Sequence, residues 1–216
     1  MYKIFGKFLD LALHTFLAWF LKLSIIGLIP YLIIKGDYVF AFAALIASII
    51  TIIPSILERT YKVHLPWEMD LIISLMIYLH TFCGETLYFY EKIPIWDDII
   101  HFMGTGVVAI LAFMVVYTFH FTKKLRLTLP FIFLFTFVFA LAIGTIWEIL
   151  EFGIDQIFAK NTQHSLENTM WDIISDFMGG LLASLIGVLY IKRSRHEERS
   201  RFTQPLRMII KRRDER

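Results

Sequence analysis

The sequence has little charge and almost no cysteine. Charged residues make up 19% of its 216 positions and hydrophobic residues 57%, whereas a typical soluble domain has about 25% charged and about 45–50% apolar residues. The single cysteine, Cys83, excludes a disulfide within the chain and a multi-cysteine metal site. The sequence also lacks a G-x-S-x-G motif and a phosphate-binding glycine loop. Nucleophilic acyl chemistry therefore has no positive support, and only a basic C-terminal segment could suggest nucleic-acid binding.

The hydrophobic residues form long blocks, which is typical of a polytopic membrane protein with one domain. A bilayer core about 30 Å thick requires roughly 20 apolar residues per helix. Before the first block, polar residues recur at intervals of three and four, which predicts an amphipathic helix over residues 1–17 on the membrane surface. We therefore predict an all-α fold in which residues 18–191 form about six transmembrane helices, at 18–34, 38–57, 67–88, 96–119, 128–155 and 170–191.

The basic residues predict how these helices are oriented. Eighteen of the 21 Lys and Arg residues lie between the N-terminus and Lys22, in the loops near residues 60 and 124, or after residue 191. Lys35, Lys92 and Lys160 fall in the remaining loops. Because positive charge marks the cytoplasmic side, we expect both termini to be cytoplasmic. Residues 192–216 then form a basic cytoplasmic tail, which we expect to be solvated and to touch anionic lipid, with partner binding as the alternative.

Acidic residues gather in the half of the membrane that this orientation places outside. Their spacing puts them on shared helical faces, because residues three, four or seven apart lie on one side of a helix. Small residues such as Gly144 and Gly179 continue these faces, which indicates that the acidic side chains point into the bundle. The groups are Asp97 with His101, then Glu148 with Glu151 and Asp155, then Asp172 with Asp176, while Glu85 lies near the outer end of the third span.

Several carboxylates in a low-dielectric site cannot all remain ionised without compensation from protons, water or a bound cation. Carboxylates combined with one neutral histidine suit Mg²⁺, Mn²⁺, Fe²⁺ or Zn²⁺. The alternative for the acids at helix starts is a favourable charge at the positive end of the helix dipole. The predicted metal ligands are Asp97, His101, Glu148, Asp172 and Asp176, the predicted catalytic groups are Glu151 and Asp155, and Glu85 is a further candidate.

Three segments of the sequence together resemble YjdF-like bacterial membrane proteins and, more distantly, VanZ-like proteins. They are "GETLYFYEKIPIWDDIIHFMGTG" at 84–106, "IGTIWEILEFGID" at 143–155 and "NTMWDIISDFMGG" at 168–180. The resemblance implies a location in the bacterial cytoplasmic membrane but no particular reaction. Asn168 stands where that family usually has Asp, so we leave it out of the ligand set. Asp98 stands where the family is not acidic, which makes Asp97 the better candidate.

Three functions are compatible with these observations. The first is an enzyme whose metal activates water or polarises a phosphate in a lipid or lipid-linked headgroup. The second is a proton- or cation-coupled transporter, which would need polar access from both sides of the membrane. The third is a non-catalytic lipid-binding, sensory or scaffold protein, in which substitutions would change stability more than turnover. In each case the expected partners are membrane lipids, and the sequence does not determine an oligomeric state.

Overall fold

All regular structure in the described part of the chain is helical. The computed structural model describes residues 2–62 and 67–214, and the side chains of residues 13–62 and 67–211. The helices are α1 (Tyr2–Lys35), α2 (Tyr38–Tyr61), α3 (Trp67–Tyr78), a π-helical segment (Leu79–Thr86), α4 (Phe89–Lys92), α5 (Trp96–Phe121), α6 (Leu129–Phe158), α7 (Leu166–Arg193) and α8 (His196–Asp214).

Five helical stretches in the described residues are long and apolar enough to cross a membrane. They are Leu13–Lys35 within α1, and the whole of α2, α5, α6 and α7. The expectation of an all-helical protein with several spans is therefore confirmed. The span predicted at 67–88 is instead divided between α3 and the π-helical segment, so its passage across the membrane remains a prediction. The predicted boundary at residue 17 does not coincide with a helix end, because α1 is continuous there.

Short polar side chains define where the two helices of the acidic region begin. The Thr128 hydroxyl accepts a hydrogen bond from Phe131 N at 3.4 Å and starts α6. The Ser165 hydroxyl accepts one from Asn168 N at 3.1 Å and starts α7. Each bond satisfies a backbone N–H that has no partner within the first helical turn. These caps fix the register with which α6 and α7 present their acidic residues.

The first compact unit, Met1–Pro94, contains a buried ion pair. The Lys22 side chain is 1% exposed, and its Nζ lies 2.7 and 2.8 Å from the two carboxylate oxygens of Asp70. Ser55 Oγ accepts a third bond from Nζ at 3.4 Å. Because these residues come from α1, α3 and α2, one cation links three helices. Such a charge is tolerated inside a membrane only when it is paired in this way.

The π-helical segment of the first unit packs closely around Tyr90. His80 Nδ1 lies 2.5 Å from the Tyr90 hydroxyl, and a Cβ on Gly84 would overlap the Tyr90 ring. Only glycine at this position therefore allows the ring to approach. Wide helical turns of this kind often occur at functional positions. Glu85, a further candidate from the sequence, is half-buried in this segment.

The second compact unit, Ile95–Arg216, is built around α7, which packs against both α5 and α6. Glycines allow this close packing. A Cβ on Gly187 would lie 2.7 Å from the Phe113 ring, and one on Gly179 would overlap the carbonyl oxygen of Phe102. Small residues at helix contacts let backbones approach closely in membranes. The acidic faces of α5, α6 and α7 are consequently held near one another.

The basic tail is helical over much of its length rather than simply solvated. In α8, Thr203 is fully buried, and the Phe202 ring lies 5.9 Å from Phe113 and 5.4 Å from Tyr190. These aromatic contacts bury apolar surface that would otherwise face water. The sequence prediction missed this packing because charged residues dominate the tail.

Candidate metal centre

His101 lies at the centre of the acidic region and is 7% exposed. Its Nε2 atom is 3.6 Å from Asp97 Oδ1 on the same helix and 3.5 Å from Glu148 Oε1 on α6. Its Nδ1 atom is 3.2 Å from Asp176 Oδ1 on α7. The imidazole therefore contacts carboxylates from three helices. The spacing that suggested a shared polar site from the sequence corresponds to these contacts.

Asp172 reaches the same region through Asn168, one turn earlier on α7. The Asn168 amide nitrogen donates to Asp172 Oδ2 at 2.9 Å and to Asp97 Oδ2 at 3.2 Å. One potential ligand atom from each of Asp97, His101 and Asp172 lies within 4.8 Å of the other two. Donor atoms this close can surround one metal ion with modest side-chain adjustment. We call the set of Asp97, His101, Glu148, Asp172 and Asp176 the His101 cluster.

Several oxygens of the His101 cluster are buried without a hydrogen bond from any described residue. Both carboxylate oxygens of Glu148, the Oδ1 atom of Asp172 and the Oδ2 atom of Asp176 are in this state. Glu148 is 3% exposed and Asp172 is 2% exposed. Buried polar atoms normally have a partner, and an unpartnered one points to an ion or water. The described geometry thus leaves acceptor capacity that the protein itself does not use.

The charge of the cluster is also unbalanced within the described residues. Three of its four carboxylates, those of Asp97, Glu148 and Asp176, form ion pairs with His101, which carries at most one positive charge. A buried group of carboxylates with one cation needs a further positive charge or bound protons. A divalent cation would supply that charge and would also satisfy the unpartnered oxygens. The acidic helical faces predicted from the sequence suggested a cation site, and this charge and geometry add support for it.

Two residues that support the cluster were not among the predicted ligands. Asn168 links Asp97 to Asp172, although the sequence argument set it aside because an amide carries no charge. Thr105, one turn after His101, donates a hydrogen bond from its hydroxyl to Asp176 Oδ1. Their spacing of four residues from Asp172 and from His101 was the available signal, since such residues share a helical face.

The remaining sequence candidates have other contacts. Glu151 is half-buried, and its Oε1 accepts a hydrogen bond from the Trp147 indole at 2.9 Å. Asp155 accepts bonds from the backbone N–H groups of Thr162 at 2.7 Å and Gln163 at 3.0 Å. These bonds tie the loop after α6 to the end of that helix. Glu85 belongs to the first unit, and its part in a shared site remains a prediction.

Comparison with known proteins places the chain in a family. The family described as "Predicted membrane protein (DUF2238)" matches residues 16–193. The chain belongs to this family. It is also 34% identical over 129 residues to an "Uncharacterized protein" of Thermotoga maritima, a match that covers 58% of this chain and 65% of that protein. No solved structure matches the chain. A member of a membrane protein family with several apolar helices contacts membrane lipids, as the sequence predicted.

Proposed function

We propose that this protein binds a divalent metal ion in the outer half of a bacterial cytoplasmic membrane and uses it on a lipid or lipid-linked headgroup. In this proposal the chain crosses the membrane six times, with both termini in the cytoplasm and the stretch 67–88 as the third span. The bias of Lys and Arg toward one set of loops supports that orientation. The relation to YjdF-like and VanZ-like proteins, suggested by the quoted segments, belongs to the same proposal.

The observation that carries the metal site is the pair of unpartnered, buried Glu148 oxygens beside His101 Nε2. We assign His101 Nε2, Asp97 and Asp172 as the inner ligands, with Glu148 completing the set. Glu148 lies outside the tightest group of donor atoms, so it must move slightly to bind. A set of several carboxylates and one imidazole suits Mg²⁺, Mn²⁺ or Fe²⁺. It differs from structural zinc sites, which are typically rich in cysteine sulfur.

The location of the cluster suggests the class of substrate. Its residues lie in helices that qualify as membrane spans, so a ligand of the site would approach from the lipid or from the outer membrane surface. A bound divalent ion can polarise a phosphoryl oxygen or lower the pKa of bound water. Glu151, one turn beyond Glu148 and half-buried, is the candidate base, with Asp155 the second candidate from the sequence. A headgroup phosphate is the chemistry that such a site fits best.

The metal content of the purified protein tests the first part of the proposal. We expect near-stoichiometric metal by inductively coupled plasma mass spectrometry after reconstitution with Mg²⁺, Mn²⁺, Fe²⁺ or Zn²⁺. His101→Ala and Glu148→Gln should lose it while remaining folded. Two adjacent acids provide a test and its control: Asp97→Asn should lose the metal, and Asp98→Asn should keep it. Asp98 is the control because it contacts Ser175, at 3.5 Å, rather than His101. Absence of metal from every wild-type sample would overturn the proposal.

Turnover tests the second part. The metal-loaded protein would be reconstituted into vesicles of bacterial phospholipid, and headgroup or phosphate release would be followed by mass spectrometry. We expect release with the wild type and a loss of at least about 100-fold with Asp97→Asn, because that variant no longer holds the metal that stabilises the transition state. Bound metal without release from phospholipids or from lipid-linked sugar phosphates would contradict the enzyme and leave the non-catalytic lipid-binding alternative.

A further inference from the structure

The two ring nitrogens of His101 face different surroundings. Nε2 faces Asp97 and Glu148, whereas Nδ1 faces Asp176 at 3.2 Å. We infer that Asp176 is a positioning residue for His101 rather than a metal ligand, and that the ion binds on the Nε2 side. This inference rests on the proposed metal site. It changes the part assigned to Asp176 by the sequence, where spacing alone grouped it with the ligands.

Both carboxylate oxygens of Asp176 are already in contact with the protein. Oδ1 lies against His101 Nδ1 and also accepts the hydrogen bond from the Thr105 hydroxyl. Oδ2 lies against the backbone of Gly144, since a Cβ placed on that glycine would overlap it. Asp176 is 1% exposed and is absent from the tightest group of donor atoms. Asp176 therefore meets the ring through Oδ1 at Nδ1, while Oδ2 is buried without a hydrogen bond from any described residue.

This arrangement has a defined chemical effect. When Asp176 accepts a hydrogen bond from Nδ1–H, the lone pair of the neutral ring is on Nε2, which is the form that binds metal. The carboxylate also fixes the ring orientation, as carboxylates hydrogen-bonded to metal-binding histidines do. Thr105 holds Oδ1 in place, and Gly144 leaves room for the carboxylate between α6 and α7. The site thus depends on a residue that never touches the ion.

A matched pair of substitutions on α7 distinguishes the two roles. Asp176→Asn and Asp172→Asn make the same change one helical turn apart, and Co²⁺ serves as the probe because its visible absorption reports its ligands. We expect Asp176→Asn to weaken Co²⁺ binding about 10–100-fold, the usual effect of an outer-shell partner, while the absorption bands keep their positions. Asp172→Asn should shift the bands because it changes an inner ligand. Thr105→Val should weaken binding less than Asp176→Asn and leave the bands unchanged.

The outcomes separate this inference from the proposal beneath it. If the wild type binds no Co²⁺, the proposed metal site fails and the inference fails with it. If the wild type binds Co²⁺ and Asp176→Asn shifts the bands or leaves the affinity unchanged, the positioning role is overturned while the metal site stands. X-ray absorption gives an independent count of the ligands around Co²⁺, since substituting a positioning residue removes no oxygen from that count. Should Asp176→Asn fail to fold, Thr105→Val decides: weaker binding with unchanged bands supports the inference, and unchanged binding overturns it.

Discussion

Replacing Gly179 by alanine tests whether close packing of α5 on α7 positions the His101 cluster. A Cβ at this position would lie 2.9 Å from the carbonyl carbon of Phe102 and 3.1 Å from its Cα, whereas non-bonded carbons prefer about 3.5–4.0 Å. The added Cβ would also overlap the carbonyl oxygen of Phe102, so the helices must separate, because a backbone cannot rotate away as a side chain can. Overpacking costs about 1–3 kcal/mol, and the better helix propensity of alanine offsets about 1 kcal/mol of that. We expect a net loss of up to about 2 kcal/mol.

Gly106→Ala is the matched control, because a Cβ there would meet its nearest atom, the carbonyl oxygen of Gly179, at an ordinary 3.8 Å. This variant should be as stable as the wild type or up to about 1 kcal/mol more stable. Thermal unfolding of the metal-free proteins in detergent measures both. Since Phe102 directly follows His101, Gly179→Ala should also weaken metal binding, whereas Gly106→Ala should not. Equal melting temperatures and equal metal affinities for the two variants would refute the packing argument.

Three further outcomes follow from contacts outside the His101 cluster. Asp155→Asn should lower the unfolding free energy by about 1–3 kcal/mol, because charged acceptors of backbone N–H groups contribute that much, yet metal content should stay normal; loss of metal would instead give Asp155 a place in the site. Lys22→Met should cost about 1–3 kcal/mol by leaving the partly buried Asp70 carboxylate unpaired, and adding Asp70→Leu should restore most of it, so a double variant no more stable than the single one would argue against the pair. After the native cysteine is changed to serine, a membrane-impermeant maleimide added to intact cells should label Asn161→Cys but not Glu197→Cys, and the reverse pattern would invert the proposed topology.

The fold of the second unit was largely predictable from hydrophobic block length. The spans expected at 96–119, 128–155 and 170–191 correspond to Trp96–Phe121, Leu129–Phe158 and Leu166–Arg193. Their ends differ by up to four residues because caps at Thr128 and Ser165, rather than hydropathy, determine where α6 and α7 begin. The π-helical segment was not predictable, since its wide turns depend on packing around one tyrosine. The periodicity of the sequence does not predict the packing of this segment around Tyr90.

The cluster shows a similar division between what spacing reveals and what it hides. Helical periodicity placed Asp97, His101 and Glu148 in one region because each lies on a face that small residues mark as buried. Spacing could not assign Asp176 to one ring nitrogen rather than the other, since that depends on side-chain rotamers. It also could not show that the Asp155 oxygens accept hydrogen bonds from the loop after α6. Those distinctions arise from local hydrogen bonds that have no signature in the helical repeat.

The buried Lys22 sets an order of events during biosynthesis. Its carboxylate partner lies 48 residues later in the chain, so at about 5–20 residues per second the lysine is made some 2–10 s before Asp70. During that interval the first helix carries an unpaired charge, whose insertion near a helix centre costs about 2.5–3.5 kcal/mol. Until then, only the surrounding apolar residues of Leu13–Lys35 hold the helix in the membrane. The charge of Lys22 can therefore be neutralised by Asp70 only after the third helix has been synthesised.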